Sequence, residues 1–372
     1  MITIKTVNTK QDRKAFTMLP FTIYKNNAFW IPPIIKAEMK IFDISTNPAL
    51  GFCDASFWLA MDGENTIGRI GAIINHKYNE KIGMKMGRFT RFECTDNAEA
   101  AHLLLTTAEN WLRERGMEKI HGPLGFTNLD LQGLLVEGFD HLPSIASVYH
   151  HAYYGALIED AGYEKEIDWV EFRLKLEDKI PEKATRLVDM IKTRYKLSVV
   201  HFKKTKEMLP YTHQLFSLLG KAFEELPYVS EFDDATTDYY IKKYFTFLNP
   251  EFVKVLVDEN KEMKGFIVGM PSLSVAMQKC NGKLFPFGFR HVLKALKHPT
   301  EMDLVLTGID PHLQGQGVAA VLIYELQLVL GKYKVPYVET TGIFETNHKA
   351  IQTWKNYEHI QHKRRRCYVK SL

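Results

Sequence analysis

Residues 302–330 read MDLVLTGIDPHLQGQGVAAVLIYELQLVL, and this stretch decides the fold that the sequence predicts. The apolar run 304–306 favours a short β-strand, and Asp310-Pro311 ends it because proline has no N–H for further pairing. Apolar side chains then recur at spacings of three and four, which is typical of an amphipathic helix, and Gly331 is its expected left-handed end. The apolar positions are Val318, Val321, Leu322, Leu326 and Val329. The stretch therefore predicts a strand, a glycine loop and a helix.

Two glycines, Gly315 and Gly317, lie in the loop directly before this helix. Glycine adopts positive φ at little cost and lets a ligand approach the backbone closely. The first N–H groups of a helix have no intrahelical acceptor, and the helix dipole adds partial positive charge there. We interpret the loop as an anion cradle suited to a pyrophosphate. An ordinary strand-to-helix turn with two convenient glycines is the alternative.

The run QGQGVA at residues 314–319 resembles the Gln/Arg-x-x-Gly-x-Gly/Ala signature of the GNAT acetyltransferases, whose loop holds the pyrophosphate of coenzyme A. Residues 337–340 fit the strand that follows it in that superfamily. Asn347, Ala350 and Trp354 are similar to the family's Asn-x-x-Ala-x-x-x-Tyr helix, with Trp at the Tyr position. The whole chain is similar to uncharacterised bacterial tandem-GNAT proteins.

This resemblance implies that acetyl-CoA or another acyl-CoA is the co-substrate. In the superfamily the strand before the loop binds the pantetheine arm, and the conserved helix lies near it. The resemblance assigns coenzyme A contacts to Thr307, Gly308, Ile309, Gln314, Gly315, Gln316, Gly317, Val318, Ala319 and Asn347.

Acyl transfer to an amine also needs a base, and a carboxylate near the cofactor can take the proton through water. Glu339 is the predicted base, with Glu301 and Asp303 as rivals; a structural role for Glu339 is the alternative. Trp354 cannot protonate a leaving thiolate, because an indole N–H is not acidic enough. Tyr357 is the predicted substitute, and packing is its alternative role.

A degenerate internal repeat predicts two copies of one fold. Residues 57–75 and 252–272 each read as a strand, an acidic turn and a second strand. We predict an α/β (α+β) fold with two tandem GNAT-like domains, 1–178 and 179–372, each a mixed, mostly antiparallel sheet flanked by helices. The second copy has a candidate insertion at 273–300, whose aromatic run either floors an acceptor pocket or, as we favour, anchors the insertion to the core.

The first copy lacks the glycine cradle. Its corresponding loop, residues 93–97, reads ECTDN, and the charges of Glu93 and Asp96 are expected to repel a pyrophosphate. We therefore predict that the N-terminal domain has a degenerate cofactor loop and does not bind coenzyme A in the family manner.

The composition excludes several classes of protein. A formal net charge of +4 on 372 residues fits an anionic small ligand and makes nucleic acid an unlikely partner. The basic run 362–366 is interpreted as a solvated strand face, with a contact to the 3′-phosphate of the coenzyme and RNA binding as the alternatives. The four cysteines are scattered without a Cys-x-x-Cys pair, which favours a reducing cytoplasm. No signal peptide and no apolar run of about 18 residues is present, so we expect no membrane span.

The histidines lack metal-ligand spacing, so no metal is predicted. We predict an N-acetyltransferase, or another acyl-CoA-dependent N-acyltransferase, that acts on a primary amine of a small molecule or peptide. A non-catalytic acyl-CoA-binding protein and a Fem-type aminoacyl-tRNA-dependent transferase are the alternatives.

Overall fold

The computed structural model describes residues 1–177, 179–245, 248–354 and 357–372, which form two compact units. Unit 1 comprises Met1–Val170, Ser274–His291 and His362–Leu372, and unit 2 comprises Glu171–Leu273 and Val292–Gln361. Asp178, where the predicted first domain ends, lies outside the described residues. The predicted domains are copies counted along the sequence, whereas each compact unit includes chain from both halves, so the domain ranges stay a prediction.

The chain contributes the following secondary structure. The strands are β1 (Ile2–Thr6), β2 (Cys53–Asp62), β3 (Asn65–Asn75), β4 (Met86–Cys94), β5 (Lys119–Gly122), β6 (Leu134–Glu137), β7 (Glu164–Lys175), β8 (Ser198–Val200), β9 (Val253–Val257), β10 (Met263–Pro271), β11 (Met302–Ile309), β12 (Tyr337–Thr340), β13 (Ile343–Phe344) and β14 (His359–Ser371). The α-helices are α1 (Lys10–Ile23), α2 (Ile35–Glu38), α3 (His76–Ile82), α4 (Ala98–Arg113), α5 (Tyr153–Glu159), α6 (Glu182–Arg194), α7 (Thr212–Phe223), α8 (Asp234–Tyr244), α9 (Ser274–Cys280), α10 (Phe289–Lys297), α11 (Val318–Tyr333) and α12 (His348–Thr353).

Unit 1 is built on a sheet in the order β1-β2-β3-β4-β5-β14, in which only β4 and β5 are parallel. Helix α4 packs its apolar side on this sheet, and its buried leucines belong to the main core of the unit. A Cβ on Gly87 of β4 would lie 2.5 Å from Leu112, so glycine is what lets this helix approach the strand. Asn97 caps α4 by accepting from the Ala100 N–H at 2.9 Å.

Unit 2 repeats this plan in the order β8-β9-β10-β11-β12-β7, in which only β11 and β12 are parallel. The predicted strand, glycine loop and helix are present as β11, the loop 310–317 and α11. The predicted cap at Gly331 is wrong, because α11 continues through it and Lys334 takes the left-handed conformation at φ 53°. Each unit is a mixed, mostly antiparallel sheet flanked by helices, which confirms the predicted fold class.

The basic run 362–366 lies mostly inside unit 1, so its interpretation as a solvated strand face is wrong. Arg364 Nη1 lies 3.1 Å and Arg366 Nε 2.9 Å from the carboxylate of buried Asp168. Burial by itself would raise the pKa of Asp168, but Arg366, Lys165 and Arg364 bring that pKa below its ordinary value. The run therefore satisfies buried charge within the fold.

The aromatic run of the insertion is also exposed where we expected it to be buried. Phe285 and Phe287 are 73% and 70% exposed, so the favoured anchoring role is wrong for both. Among the described residues, no helix combines the length and the apolar character needed to cross a bilayer.

Candidate functional site

The first feature of the site is a strand edge in unit 2 that loses its partner. β11 and β12 pair in parallel from Met302↔Val338 to Leu304↔Thr340, and the N–H of Thr341 donates to the Leu304 carbonyl at 3.3 Å. Beyond this point β11 continues to Ile309 with β10 on one side, while no described strand pairs its other edge. The backbone from 305 to 309 therefore borders a gap between β11 and β12.

Residues 307–309, predicted to contact the pantetheine arm, lie on this open edge. Thr307 and Ile309 are held from the other side by their pairing with β10, and both are partly exposed. A Cβ on Gly308 would lie 2.4 Å from the Phe266 ring, so only glycine fits this position. Pairing with β10 therefore holds one side of residues 307–309, while no described strand covers the other side.

The glycine loop joins this edge to α11. Gly315 has φ +76° and Gly317 has φ +81°, and Gly317 is the N-terminal cap of the helix. Gln314 Nε2 donates to the Ile309 carbonyl at 3.3 Å and Gln316 Nε2 to the His312 carbonyl at 2.7 Å, so both glutamines brace the loop. Both glycines therefore have the positive φ that the sequence predicted for this loop.

The N–H groups at the start of α11 are available. In the described part of the chain, the N–H groups of Gly317, Val318 and Ala319 have no protein acceptor. A Cβ on Gly315 would meet no atom within 4 Å, whereas a Cβ on Gly317 would lie 2.9 Å from Ile191. Three unpaired N–H groups at the positive end of a 16-residue helix fit a pyrophosphate.

Asn347 has a structural role in the fold. Its Oδ1 accepts from the Ala350 N–H at 3.1 Å and caps α12. This bond fixes the residue at the start of the helix that carries Trp354. A contact of Asn347 with the pantetheine arm stays a prediction.

A group of carboxyl side chains lies on the sheet of unit 2 just before the gap. Asp303 of β11 and Glu339 of β12 are register partners, and Glu339 is also the register partner of Arg173 on β7. Arg173 Nη1 lies 3.8 Å from Glu339 Oε1, and its other terminal nitrogen pairs with Glu301. Burial, and next the charge of Glu339, raise the pKa of Asp303 well above its ordinary value. The raised pKa favours the protonated form of Asp303, which makes Asp303 a weaker candidate for the base than Glu339.

Tyr357 lies on the other face of this sheet. It lines an apolar pocket with Trp354, Leu304 and Val338, under helix α11. Because successive side chains of a strand point to opposite faces, Val338 and Glu339 face opposite ways. The structure therefore does not bring Tyr357 and Glu339 together. Burial raises the pKa of Tyr357, which agrees with its alternative role as a packing residue.

The corresponding gap in unit 1 is filled by the chain itself. β4 and β5 pair only over Met86↔Lys119 to Arg88↔His121, and the residues after β5 turn into the space beyond. The N–H of Leu124 donates to the Phe89 carbonyl at 2.9 Å, and Leu124 and Phe126 are buried. The space that is open beside β11 is therefore closed beside β4.

The loop before α4 differs from our expectation in one respect. Glu93 is buried and pairs with Arg69 at 2.5 Å, so the expected repulsion from Glu93 is wrong. Instead, the Cys94 carbonyl accepts from the hydroxyls of Tyr153 at 2.8 Å and Tyr154 at 2.9 Å. Aromatic side chains thus cover this loop.

Sequence reasoning missed a cation beside the predicted base, Arg173, whose Nη1 lies 3.8 Å from Glu339 Oε1. Only the pairing of β7 with β12 brings Arg173 to Glu339. Sequence reasoning also missed a polar group in unit 1, where Glu166 Oε2 lies 3.3 Å from His121 Nδ1 and 3.4 Å from Cys367 Sγ. Burial lowers the pKa of His121 and keeps the ring neutral. That the protein needs no metal stays a prediction.

The comparisons with known proteins agree on the architecture. No protein-family model matches the chain. Protein YghO of Escherichia coli (strain K12) is 27% identical over 376 residues, spanning 99% of this chain and 95% of that protein. The bacterial ceramide synthase of Caulobacter vibrioides is 25% identical over 379 residues, spanning 98% of this chain and 96% of that protein.

Among solved structures, a tandem GNAT protein from the clavulanic acid biosynthesis pathway matches all of this chain and 98% of its own, with a TM-score of 0.56 at 13% identity. Identity at this level establishes the fold alone. The chain has the tandem GNAT fold, as the signature at residues 314–319 had indicated.

Proposed function

We propose that this chain, which has the tandem GNAT fold, is an acyl-CoA-dependent N-acyltransferase whose single cofactor site lies in unit 2. The observation that carries the proposal is the gap beside β11, which leads directly into the unpaired N–H groups of Gly317, Val318 and Ala319. A pyrophosphate on these groups extends the pantetheine arm along the edge 305–309. The predicted contacts of residues 307–309 and 314–319 are consistent with this path.

The residues of the chain divide the chemistry among them. An acyl-CoA supplies an activated thioester, and the backbone of β11 holds it in place for attack. Glu339 takes a proton from the acceptor amine, directly or through water, while Asp303 beside it stays protonated and Arg173 supplies the compensating charge. A thiol with a pKa of about 8.5 can leave the thioester as a thiolate without a donated proton, so no role for Tyr357 is required.

The acceptor that we propose is a long-chain amine rather than a peptide. One relative along the full length of the chain is named as a bacterial ceramide synthase, and ceramides are N-acylated long-chain amino alcohols. A fatty acyl-CoA is the corresponding donor. The proposed compartment remains the cytoplasm, which agrees with four buried free cysteines.

Calorimetric titration with acetyl-CoA and palmitoyl-CoA tests the cofactor site. In Gly315→Asp the new Cβ meets no protein atom within 4 Å, and the carboxylate adds negative charge where the pyrophosphate is expected, so we expect loss of binding. Gly63→Asp is the matched control, because Gly63 also has positive φ, +58°, and open space around it but lies in a hairpin turn of unit 1. Equal binding by wild type and Gly315→Asp would refute the cradle.

Release of free thiol from each acyl-CoA then tests the reaction and the acceptor. We expect turnover with sphinganine and little with spermidine or a lysine peptide. Binding without turnover on any amine would favour a non-catalytic acyl-CoA-binding protein. Salt-sensitive binding of aminoacyl-tRNA with no acyl-CoA binding would favour the Fem-type alternative.

A further inference from the structure

Unit 1 presents an aromatic turn, residues 281–288, to solvent. Phe285 and Phe287 are more than two-thirds exposed, Pro286 between them is exposed, and Val275 on the preceding helix α9 is 53% exposed. Single, scattered apolar side chains are common on protein surfaces. Several large ones exposed together on one short segment therefore mark an interaction surface.

Hydrogen bonds hold the turn in place at its base. The N–H of Ile35 donates to the Gly282 carbonyl at 3.0 Å, Cys280 Sγ donates to the Gly288 carbonyl at 3.1 Å, and the N–H of Phe289 donates to the Leu284 carbonyl at 2.7 Å. A Cβ on Gly282 would lie 2.6 Å from the Phe21 ring, so the backbone is tightly seated there. The two rings are therefore held outward by a fixed backbone and do not fold back onto the unit.

Helix α9, which leads into the turn, is fixed in the same way. Ser274 Oγ donates to the Pro143 carbonyl at 2.7 Å, and Gln278 Nε2 donates to the carbonyls of Ala28 at 2.8 Å and Trp30 at 3.1 Å. These bonds bury one side of the helix and leave Val275 and Lys279 on the exposed side. Apolar and cationic side chains thus share the outer surface.

The charged residues of the segment that carries the turn have one sign. Residues 272–300 contain four lysines, one arginine and no Asp or Glu. Lys279, Lys283 and Arg290, which flank the turn in unit 1, are exposed, and none of them makes an ion pair with a described residue. The chain as a whole has 48 basic and 44 acidic residues, so this segment departs strongly from the average.

We propose that this segment docks the protein onto an anionic lipid surface, with Phe285 and Phe287 entering the interface and Lys279, Lys283 and Arg290 contacting lipid phosphates. Apolar rings surrounded by cations are the combination that interfacial membrane binding uses. A lipid surface can bind such a segment without forming specific hydrogen bonds to it. A protein partner would need hydrogen-bonding groups that match those around the two rings.

This inference stands on the surface alone and does not depend on the proposed acyl transfer. Vesicle binding is measured without acyl-CoA or acceptor, so failure of one proposal leaves the other intact. If both hold, the docked segment gives the protein access to an acceptor that resides in a membrane.

The test is flotation of the full-length protein with vesicles of phosphatidylglycerol and phosphatidylcholine. We expect flotation with the anionic vesicles, and loss of it with pure phosphatidylcholine or at high salt. Phe285→Ser/Phe287→Ser should weaken binding at least about tenfold. Lys279→Gln/Lys283→Gln should weaken it about 25-fold, from about fivefold for each cation near an anionic surface.

Matched controls distinguish binding by this surface from nonspecific hydrophobic binding and from nonspecific electrostatic binding. Ile44→Ser/Leu131→Ser removes two exposed apolar side chains of unit 1 elsewhere, and Lys10→Gln/Lys14→Gln removes two exposed cations. Both controls should float like wild type. Phe287→Trp should also float, and the emission that it adds to that of the five native tryptophans should shift to shorter wavelength with anionic vesicles.

Several results would overturn the proposal. The first is failure of the wild type to float with anionic vesicles. The second is flotation of the Phe285→Ser/Phe287→Ser variant equal to that of the wild type. The third is equal binding to the anionic vesicles and to pure phosphatidylcholine vesicles. Self-association that the same variant abolishes, together with no vesicle binding, would instead assign the surface to a second copy of the chain.

Discussion

Two neighbouring carboxyl groups show how single residues set the chemistry of unit 2. Asp303 and Glu339 are register partners on parallel strands, both are almost fully buried, and the nearest compensating cation in the group is Arg173. Two buried carboxylates side by side cannot both be charged without a large penalty, so one of them keeps its proton. Burial and the charge of Glu339 raise the pKa of Asp303, so Asp303 is the one expected to hold the proton and Glu339 is the candidate base.

The protonated state of Asp303 predicts how stability changes with pH. Because the folded pKa is raised, the folded chain retains a proton that the unfolded chain releases above about pH 4, and stability from this group falls as pH rises. Asp303→Asn lacks this proton, so its stability relative to wild type should rise from pH 5 to pH 8, by up to about 1.4 kcal/mol per pH unit. Urea unfolding at pH 5, 6.5 and 8 measures it. A stability difference that stays constant with pH would contradict the assignment.

The role of Glu339 predicts a loss of turnover without a loss of cofactor binding. Glu339→Gln keeps the size of the side chain and removes the base, so kcat should fall about 10²–10⁴-fold while acyl-CoA binding is unchanged. Glu358→Gln, which alters an exposed pair with Lys175, is the control. Tyr357→Phe should change kcat by less than about tenfold, because Tyr357 lies on the other face of the sheet. The opposite order of effects would restore Tyr357 as the acid.

At the scale of elements, the two units differ in what fills the gap between their parallel strands. In unit 1 the chain after β5 closes the gap with Leu124 and Phe126, and Tyr153 and Tyr154 cover the loop before α4. In unit 2 no described strand pairs the outer edge of residues 305–309, and the N–H groups at the start of α11 are unpaired. Similar topology therefore gives a packed core in one unit and a candidate binding site in the other.

This difference predicts one acyl-CoA per chain. Titration should give a stoichiometry of one, and Gly315→Asp should abolish the whole binding heat. A stoichiometry of two, or half the heat remaining in the variant, would show that unit 1 also binds and that its filled gap opens in solution.

At the scale of the whole molecule, each compact unit is completed by a strand from the other half of the sequence. β12 of unit 2 pairs with residues 173–175 of β7, which follow the first copy of the repeat. β5 of unit 1 pairs with residues 368–371 of β14, at the C-terminus. Repeat boundaries in the sequence and compact units in space therefore differ.

This arrangement predicts that the second copy does not fold alone. A fragment 179–372 lacks the part of β7 that pairs with β12, and the strand edge that this loss exposes promotes aggregation. We expect no cooperative thermal transition by circular dichroism for 179–372, and a regained transition for 164–372, which restores β7. Cooperative unfolding of the shorter fragment would show that this pairing is dispensable.

The sequence by itself determined the features that depend on local conformation and on repeat. Residues 314–317 predicted a left-handed glycine loop before a helix, and the structure has it because φ preferences act within a few residues. The period of apolar residues predicted α11, and the repeat predicted two sheets of one topology. The end of α11 was missed, because Gly331 is tolerated inside a helix whose packing continues to Tyr333.

Only the tertiary structure decided which distant side chains meet. Arg69 neutralises Glu93, Asp168 binds Arg364 and Arg366, and Arg173 lies beside Glu339. These partners are far apart in the chain and meet through strand pairing, so their spacing in the sequence carries no signal. Exposure also depends on the tertiary structure, because the residue type alone does not distinguish a buried phenylalanine from the exposed Phe285 and Phe287. Local sequence fixes backbone conformation, whereas burial and charge pairing depend on which strands become neighbours.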